Sequence, residues 1–475
     1  MKTLYTFLIS LLCTASTYTA FAQTPSVVVK ESDTNESVYR DITLTAAGTL
    51  AEALGEDVNL VDSLVVRGPI NKADFTTLWK STFHGNLKVV DLENATIEDG
   101  IVPEGAFFNK DVQYHGDKET ISSIKLEKLI LPANTTEIGE YACSYAANLC
   151  VVQLPASLRI IGVSAFEDCT NLTVDSFTFP ESLEVLKSQC FLGCSRLIGE
   201  VIFPEGLKRI ESAAFMNCYI WSENLPQSLE FLGCAAFSGC GFTEVNLPDN
   251  CELELDGRQF ADNSKLVRAH IPETCEIVPE GIFLNCVKLK DVNIPADAKC
   301  VLMNAFNNCA SLQSVSFPEG MEILFFSAFK SCSSLSEVML PSTLKTVGNG
   351  CFEGAVEVKN LYCKALVPPA CSKVSYPNAC PFGSYEGTDR HGMSRDTPLY
   401  VPVGTADLYR STWGWNYFNN IIETDDFPSL SVSDIDVDGG EDADAPVYDL
   451  MGRRVDSPQP GQIYIRAGKK FTVKP

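Results

Sequence analysis

Histidine and positive charge are the scarce ingredients of this chain. Its 475 residues hold four histidines, His84, His115, His270 and His391. None lies in an H-E-x-x-H pattern or beside cysteine at zinc-ligand spacing. No G-x-S-x-G, phosphate loop or dinucleotide fingerprint occurs either, so the common hydrolase and nucleotide-binding signatures are missing. We expect no metal, no cofactor and no catalysis. Lysine and arginine total 36 against 61 aspartates and glutamates, a formal net charge of −25. Binding to nucleic acid or an anionic membrane needs clustered basic side chains, so no nucleic acid partner is expected.

Long apolar runs are missing too, beyond the first residues. The opening MKTLYTFLISLLCTASTYTAFAQ joins one lysine, a short apolar run and Ala20-Phe21-Ala22. That is the layout of a secretory signal peptide over 1–22, cleaved after Ala22. The run reaches about half the ~20 residues of a membrane span. Leu12 before Cys13 is too bulky for lipoprotein processing. No transmembrane segment is expected, and export points to the cell surface or the extracellular space, with the periplasm still open.

What is abundant is a repeat. The prolines Pro132, Pro155, Pro180, Pro204, Pro226, Pro248, Pro272, Pro295, Pro318 and Pro341 recur every 22–25 residues. They close an L-x-x-V-x-L-P phrase, some copies truncated, as in LKDVNIP and LQSVSFP, and in nearly all an apolar residue follows three positions later. The alternating piece reads as a short strand with one buried face. Proline ends it because it lacks the N–H that a continuing ladder would use. A stretch such as SAFEDCTNL then follows, its Phe and Cys three apart, so both can point inward from one helical turn. No such unit buries its apolar face alone; stacked copies do. The expected fold is a solenoid, strand- and loop-rich, with ten repeats over 126–357. At strand spacing ten coils span on the order of ~45 Å.

Two columns run through it. Phe166, Phe191, Phe215, Phe237, Phe260, Phe283, Phe306, Phe329 and Phe352 form one, each worth roughly 1.5–3 kcal/mol if buried. Cys169, Cys194, Cys218, Cys240, Cys286, Cys309 and Cys332 form the other, broken at Asn263 and Ala355. A metal or redox centre would not tolerate those breaks, whereas a packing slot that needs only a small side chain would. In-register strands lie about 4.7–4.9 Å apart, wider than a disulfide wants, so free thiols are expected. The Cys190/Cys194 pair falls on repeat positions and needs no further explanation. In the irregular region after the repeats a Cys371–Cys380 disulfide is the expectation, with export favouring it.

The LP-x-x-L-x-x-I-x-x-x-AF-x-x-C repeat, closed by LYVPVGTADLYRSTWGWNYF, resembles the BspA-like leucine-rich repeat proteins of Bacteroidetes. The likeness covers roughly 41–423. It implies a right-handed leucine-rich repeat solenoid with a strand on each coil and a surface or secreted role in adhesion. Some members bind host matrix proteins such as fibronectin and fibrinogen. The family's binding residues form no short motif, so no site carries over.

The flanks complete the map. Residues 23–40 read as a linker, 41–125 as an N-terminal capping region with degenerate repeats, and 358–423 as a C-terminal cap. In that cap Trp413, Trp415 and Phe418 look like a lid over the last coil. An acidic linker spans 424–446. There Asp434, Asp436, Asp438 and Gly439 match the start of an EF-hand loop, but Ala445 stands where the bidentate Glu belongs. Solvated charge is the better reading. Residues 447–475 read as a small β tail of three strands, its VYDLMGRRV and GQIYIRAGKKF phrases resembling sorting tails of exported Bacteroidetes proteins. Sorting, tethering and a plain terminal cap all stay open for a tail this short.

One surface remains for binding, the concave strand face. Its outward positions are Gln153, Ile202, Asn224, Asn246, His270, Asn293, Ser316 and Met339. Glu200, Glu244, Arg268, Asp291, Ser314 and Glu337 lie beside them. A partner here would be a host matrix or mucosal glycoprotein, or a glycan, met by a monomer. The alternatives are a spacer whose strand face is merely solvated, as alternation requires, and an unrecognised glycan hydrolase.

Overall fold

The computed structural model describes residues 37–108, 124–372, 379–384 and 392–428, with the strands of a separate C-terminal sheet. The expected signal peptide, most of the first linker and most of the acidic linker lie outside the described residues.

The chain winds into a parallel β-solenoid of about sixteen turns, so both expected caps are themselves built of coils. Strands Tyr39–Thr43, Ser63–Ile70 and Val89–Asp91 share one sheet with Lys128–Ile130 and Val151–Gln153. At the other end Asn360–Cys363, Leu399–Val401 and Ile421–Glu423 extend the sheet begun by Ser314–Ser316 and Glu337–Leu340. Inward residues such as Val152, Val245, Val315 and Val338 are buried, with outward neighbours between them, as a half-buried strand requires.

Every regular coil also carries a second strand that the sequence does not announce. Pairs such as Ile160–Ile161, Val185–Leu186 and Arg209–Ile210 stack into a seven-stranded parallel ladder on another side. Proline has a further role here. The carbonyl of Pro155 accepts the Leu158 N–H at 3.1 Å, and Pro180 and Pro204 do the same for Leu183 and Leu207. Each proline thus opens the tight turn between the two strands.

The A-F-x-x-C segment is not a helical turn, a correction to the sequence reading. It is a chain of tight turns with two left-handed residues four apart: Ser164 and Asp168, Ala213 and Asn217, Asn304 and Asn308, all at φ between 51° and 62°. This conformation costs a non-glycine residue on the order of ~1 kcal/mol. Hydrogen bonding offsets it. The N–H groups of Ser164, Phe166 and Asp168 donate to the carbonyls of Ser188, Cys190 and Leu192 in the next coil, at 2.8–3.0 Å. The same forward pattern recurs from Phe107, which donates to Ala142, through Phe352, which donates to Pro381. Left- and right-handed residues in alternation aim these peptides one way along the axis.

Both columns run through this corner. The phenylalanine rings stack from Phe166 to Phe352, with centroids 5.0–6.1 Å apart. Phe382 adds a tenth ring, 6.2 Å beyond Phe352. It escapes the sequence reading because its coil lacks the alanine and cysteine of the motif. The cysteines are buried free thiols, but their slot asks for more than small size. Cys194, Cys218, Cys240, Cys286, Cys309 and Cys332 each direct Sγ at the carbonyl of the spine phenylalanine one coil back, at 3.1–3.3 Å. Cys169 does the same to the carbonyl of Cys143, which fills the Phe position of its own coil. Asn263 keeps the bond with its amide. Ala355 supplies no donor.

Near the first coils the Lys72–Phe83 helix follows the second strand, started by Asn71 in a capping box with Asp74. At the other end Trp415 and Phe418 cover Phe382 at 5.1 and 4.9 Å, and the Trp415 indole donates to the Pro369 carbonyl at 2.7 Å. Trp413 is only partly buried against the same core. Cys371 and Cys380 are free thiols, which corrects the expected disulfide. The Cys371 sulfur lies against Gly414 and faces the Pro369 carbonyl at 3.9 Å. In the C-terminal sheet, Val447–Tyr448, Ile463–Arg466 and Lys469–Thr472 pair antiparallel, giving three strands.

Candidate functional site

The longer-strand ladder carries the residues expected to bind. Glu244, Arg268 and Asp291 are register neighbours on three successive strands, as are Asn246 and His270 one step along. Arg268 already holds Glu244 at 2.8 Å, a bond that raises its own pKa. His270 is half-buried, 3.9 Å from Asp249. Gln153, Ser314 and Ser316 are exposed and in line with the expectation.

Other expected positions are otherwise engaged. The Asn293 amide is spent on the preceding coil: Oδ1 accepts the Ile271 N–H at 2.7 Å, and Nδ2 donates to the Ile271 carbonyl and to Glu273. It works as a structural clamp. Glu337 accepts from Asn360 at 3.1 Å. Met339 is 7 % exposed, so it offers nothing outward. Its register neighbour Tyr362 stacks on Tyr400 at 4.7 Å. Burial first, then Glu337 and Tyr400, pushes the Tyr362 phenol above its ordinary pKa.

Two coils differ from the expected register. Aligning on proline puts their strands at Glu200–Ile202 and near Asn224, but the paired strands are Ile198–Glu200 and Tyr219–Trp221. These strands end four residues before Pro204 and five before Pro226, whereas Glu244–Asn246 ends two before Pro248. In the coil before them the 3₁₀ turn Val174–Ser176 takes the place of a strand, and the ladder breaks into a separate two-stranded sheet.

The result is a surface that proline counting misses. Ile198 faces Tyr219 and Glu200 faces Trp221, while Ile220 between the two aromatics is buried. Ile198 is 58 % exposed, Tyr219 55 %, Trp221 37 % and Ile202 79 %. The signal was present as Tyr-Ile-Trp directly after Cys218, a period-two alternation with its large rings on the outward side. Asn224 is exposed just beyond this strand, in an irregular segment.

A cavity of 380 Å³ lies between the Lys72–Phe83 helix and the turn at Pro103–Ala106. Phe75, Trp79 and Phe108 line it, with Lys72, Lys80 and Glu104, and among the described residues no histidine, cysteine or serine contributes. Among the described residues no three histidine, cysteine or acidic side chains gather as a metal site, and no helix is long and apolar enough to cross a membrane.

Two parallel ladders, a stacked aromatic column and a proline turn on each coil define a leucine-rich repeat solenoid. The sequence profile of the BspA type leucine rich repeat region matches six times, across residues 117–243, 195–311 and 254–368, and the chain belongs to that family. Among solved structures it is similar to a leucine-rich repeat protein of Bacteroides ovatus ATCC 8483, at 19 % identity and a TM-score of 0.42, over 63 % of this chain and 69 % of that one. It is also similar to a leucine rich cell surface protein of Faecalibacterium prausnitzii A2-165, at 21 % identity and TM-score 0.32, over 50 % and 79 %. The pneumococcal vaccine antigen PcpA aligns at 17 % identity and TM-score 0.32, over 77 % and 79 %. No curated protein matches the sequence.

Proposed function

We propose that this chain is an exported, surface-associated binding protein of the adhesin kind, non-catalytic, which engages a host glycoprotein or glycan through the outward face of its longer-strand ladder. The observation that carries this reading is the row of Ile198, Tyr219 and Trp221, large apolar side chains turned to solvent on a sheet face. A merely solvated face would alternate apolar-in with polar-out along these strands as well. The acidic composition and signal-like opening fit work outside the cell.

A second reading, a spacer with no ligand along the coil, draws support from the rest of the face. There Glu244 and Arg268 pair with each other, and Asn293 and Glu337 are held by neighbouring coils. Binding of the full chain to arrays of matrix glycoproteins, mucins and glycans at two salt concentrations separates the readings. Saturable binding that weakens in the Tyr219→Ala/Trp221→Ala variant supports the adhesin. Silence on every array supports the spacer.

A further inference from the structure

The exposed row on the Ile198–Glu200 and Tyr219–Trp221 strands has a chemical character that narrows its partner. Its four apolar members form one continuous patch, because the Val201 N–H carries the ladder on to the Trp221 carbonyl at 2.8 Å and keeps Ile202 on the same outward side. Together they expose on the order of ~500 Å², within the range where the largest patch of a single chain is often functional. The Tyr219 and Trp221 rings have no ring or side-chain hydrogen-bond partner among the described residues, and the indole rests near Gly241.

The rim carries two carboxylates and one arginine, Arg196, which donates to Asn171 at 3.0 Å. Glu200 and Glu223 are exposed and enter no ion pair among the described residues, in contrast to Glu184 on Arg159 and Glu244 on Arg268. Register sets the Glu200 carboxylate beside the Trp221 indole. A carboxylate next to an aromatic face is a seat for an ammonium or guanidinium group, which gains from both. The net charge of −25 draws such a group in from a distance.

We propose that this patch docks a protein segment carrying a large apolar side chain next to lysine or arginine; the proposal rests on the binding role assigned to this face above. Tyr219, Trp221 and Ile198 take the apolar anchor, and Glu200 and Glu223 take the cation. The two isoleucines decide against a glycan. A sugar ring stacks on a flat aromatic face and satisfies its hydroxyls at a polar rim, whereas the branched ends of Ile198 and Ile202 offer neither. Aromatic anchors with charged neighbours are the usual energetic centre of protein–protein contacts.

The test is an array of synthetic peptides graded from acidic to basic at fixed apolar content, with a neutral-glycan array beside it, probed with the full chain. Basic peptides that include leucine or phenylalanine are expected to bind best, more weakly as salt rises. Tyr219→Ala/Trp221→Ala is expected to lose about tenfold or more. Glu200→Gln/Glu223→Gln is expected to lose several-fold and most of the salt dependence. These side chains are exposed, so an unchanged melting temperature in each variant confirms folding. Peptides that bind irrespective of charge, or not at all, overturn the inference. Glycan binding that the aromatic variant abolishes, with the peptides silent, also overturns it but leaves the adhesin reading standing. If the wild type binds either array and the aromatic variant binds it equally well, this inference fails and the face loses its claim as the binding site.

Discussion

The side-chain amide of Asn263 donates to the carbonyl of Phe237 at 2.8 Å, the bond that a thiol makes in the neighbouring coils. The apparent gap in the cysteine column is therefore a chemical substitution, and the column is a row of donors. Asn263 is fully buried, and its Oδ1 also accepts the Phe242 N–H at 3.2 Å. Asn263→Ala is expected to cost about 1–3 kcal/mol by leaving buried backbone groups unpaired. Asn263→Cys should recover the bond to Phe237 and cost less than the alanine. Urea denaturation of both variants checks the order, and equal losses would show that only volume matters.

The Trp415 lid supports the far end through one indole bond and contact with the Phe382 and Tyr409 rings. Trp415→Ala should destabilise by about 3–5 kcal/mol, in line with large core truncations. In a stacked array such a loss is local first. Hydrogen exchange is expected to accelerate in Leu399–Val401 and Ile421–Glu423 before it does near Phe215. Uniform acceleration would count against a separable lid.

Burial sets an alkaline limit on the fold. It pushes the Cys332 thiol up to about 12 and Cys275 up to about 11, from an ordinary 9.0. Below about pH 9 both states keep these protons, and the contribution to stability is intact. Above it the unfolded chain releases protons that the folded chain retains, so stability falls as pH rises toward the folded values. Denaturant midpoints should therefore hold near neutrality and drop steeply between about pH 9 and 12. A midpoint flat to pH 11 would contradict the assignment.

Gly257 has φ +72°, and a Cβ there would run into the backbone carbonyl of Glu280 in the next coil. Gly257→Ala is expected to cost about 1–3 kcal/mol through strain at a left-handed position with no room. Gly320 is a suitable control, since nothing lies near its missing Cβ. Thermal melts of the two alanine variants should separate clearly.

The repeat, its phenylalanine spine and the inward side of most strands were legible in the sequence because each recurs at one period with strong hydrophobic contrast. The second ladder was not, since a pair such as Ile160–Ile161 is too short to show any period. The turn chain was misread as helical because Ser164, Asp168 and their counterparts are mostly not glycine, so nothing marked the left-handed backbone. At the candidate site, proline counting placed Glu244, Asn246, Arg268 and His270 on their strands, which end two residues before Pro248 and Pro272. It failed at Tyr219 and Trp221, whose strand ends five residues before Pro226. The engagement of Asn293 depends on a contact between coils 22 residues apart in the chain, which no local pattern reveals.

The forward-pointing peptides of the turn corner give the solenoid a direction as well as a length. Peptide dipoles aligned coil after coil add as they do in a helix, but here with the donor pole toward the C-terminal end. A break between any two regular coils would leave a comb of amide donors on one stump and a matching comb of carbonyls on the other. Such faces are mutually complementary but not self-complementary, the condition for open, head-to-tail polymers in place of closed dimers. Trp415 and Phe418 lie over Phe382, the last ring beyond that run of forward-pointing peptides.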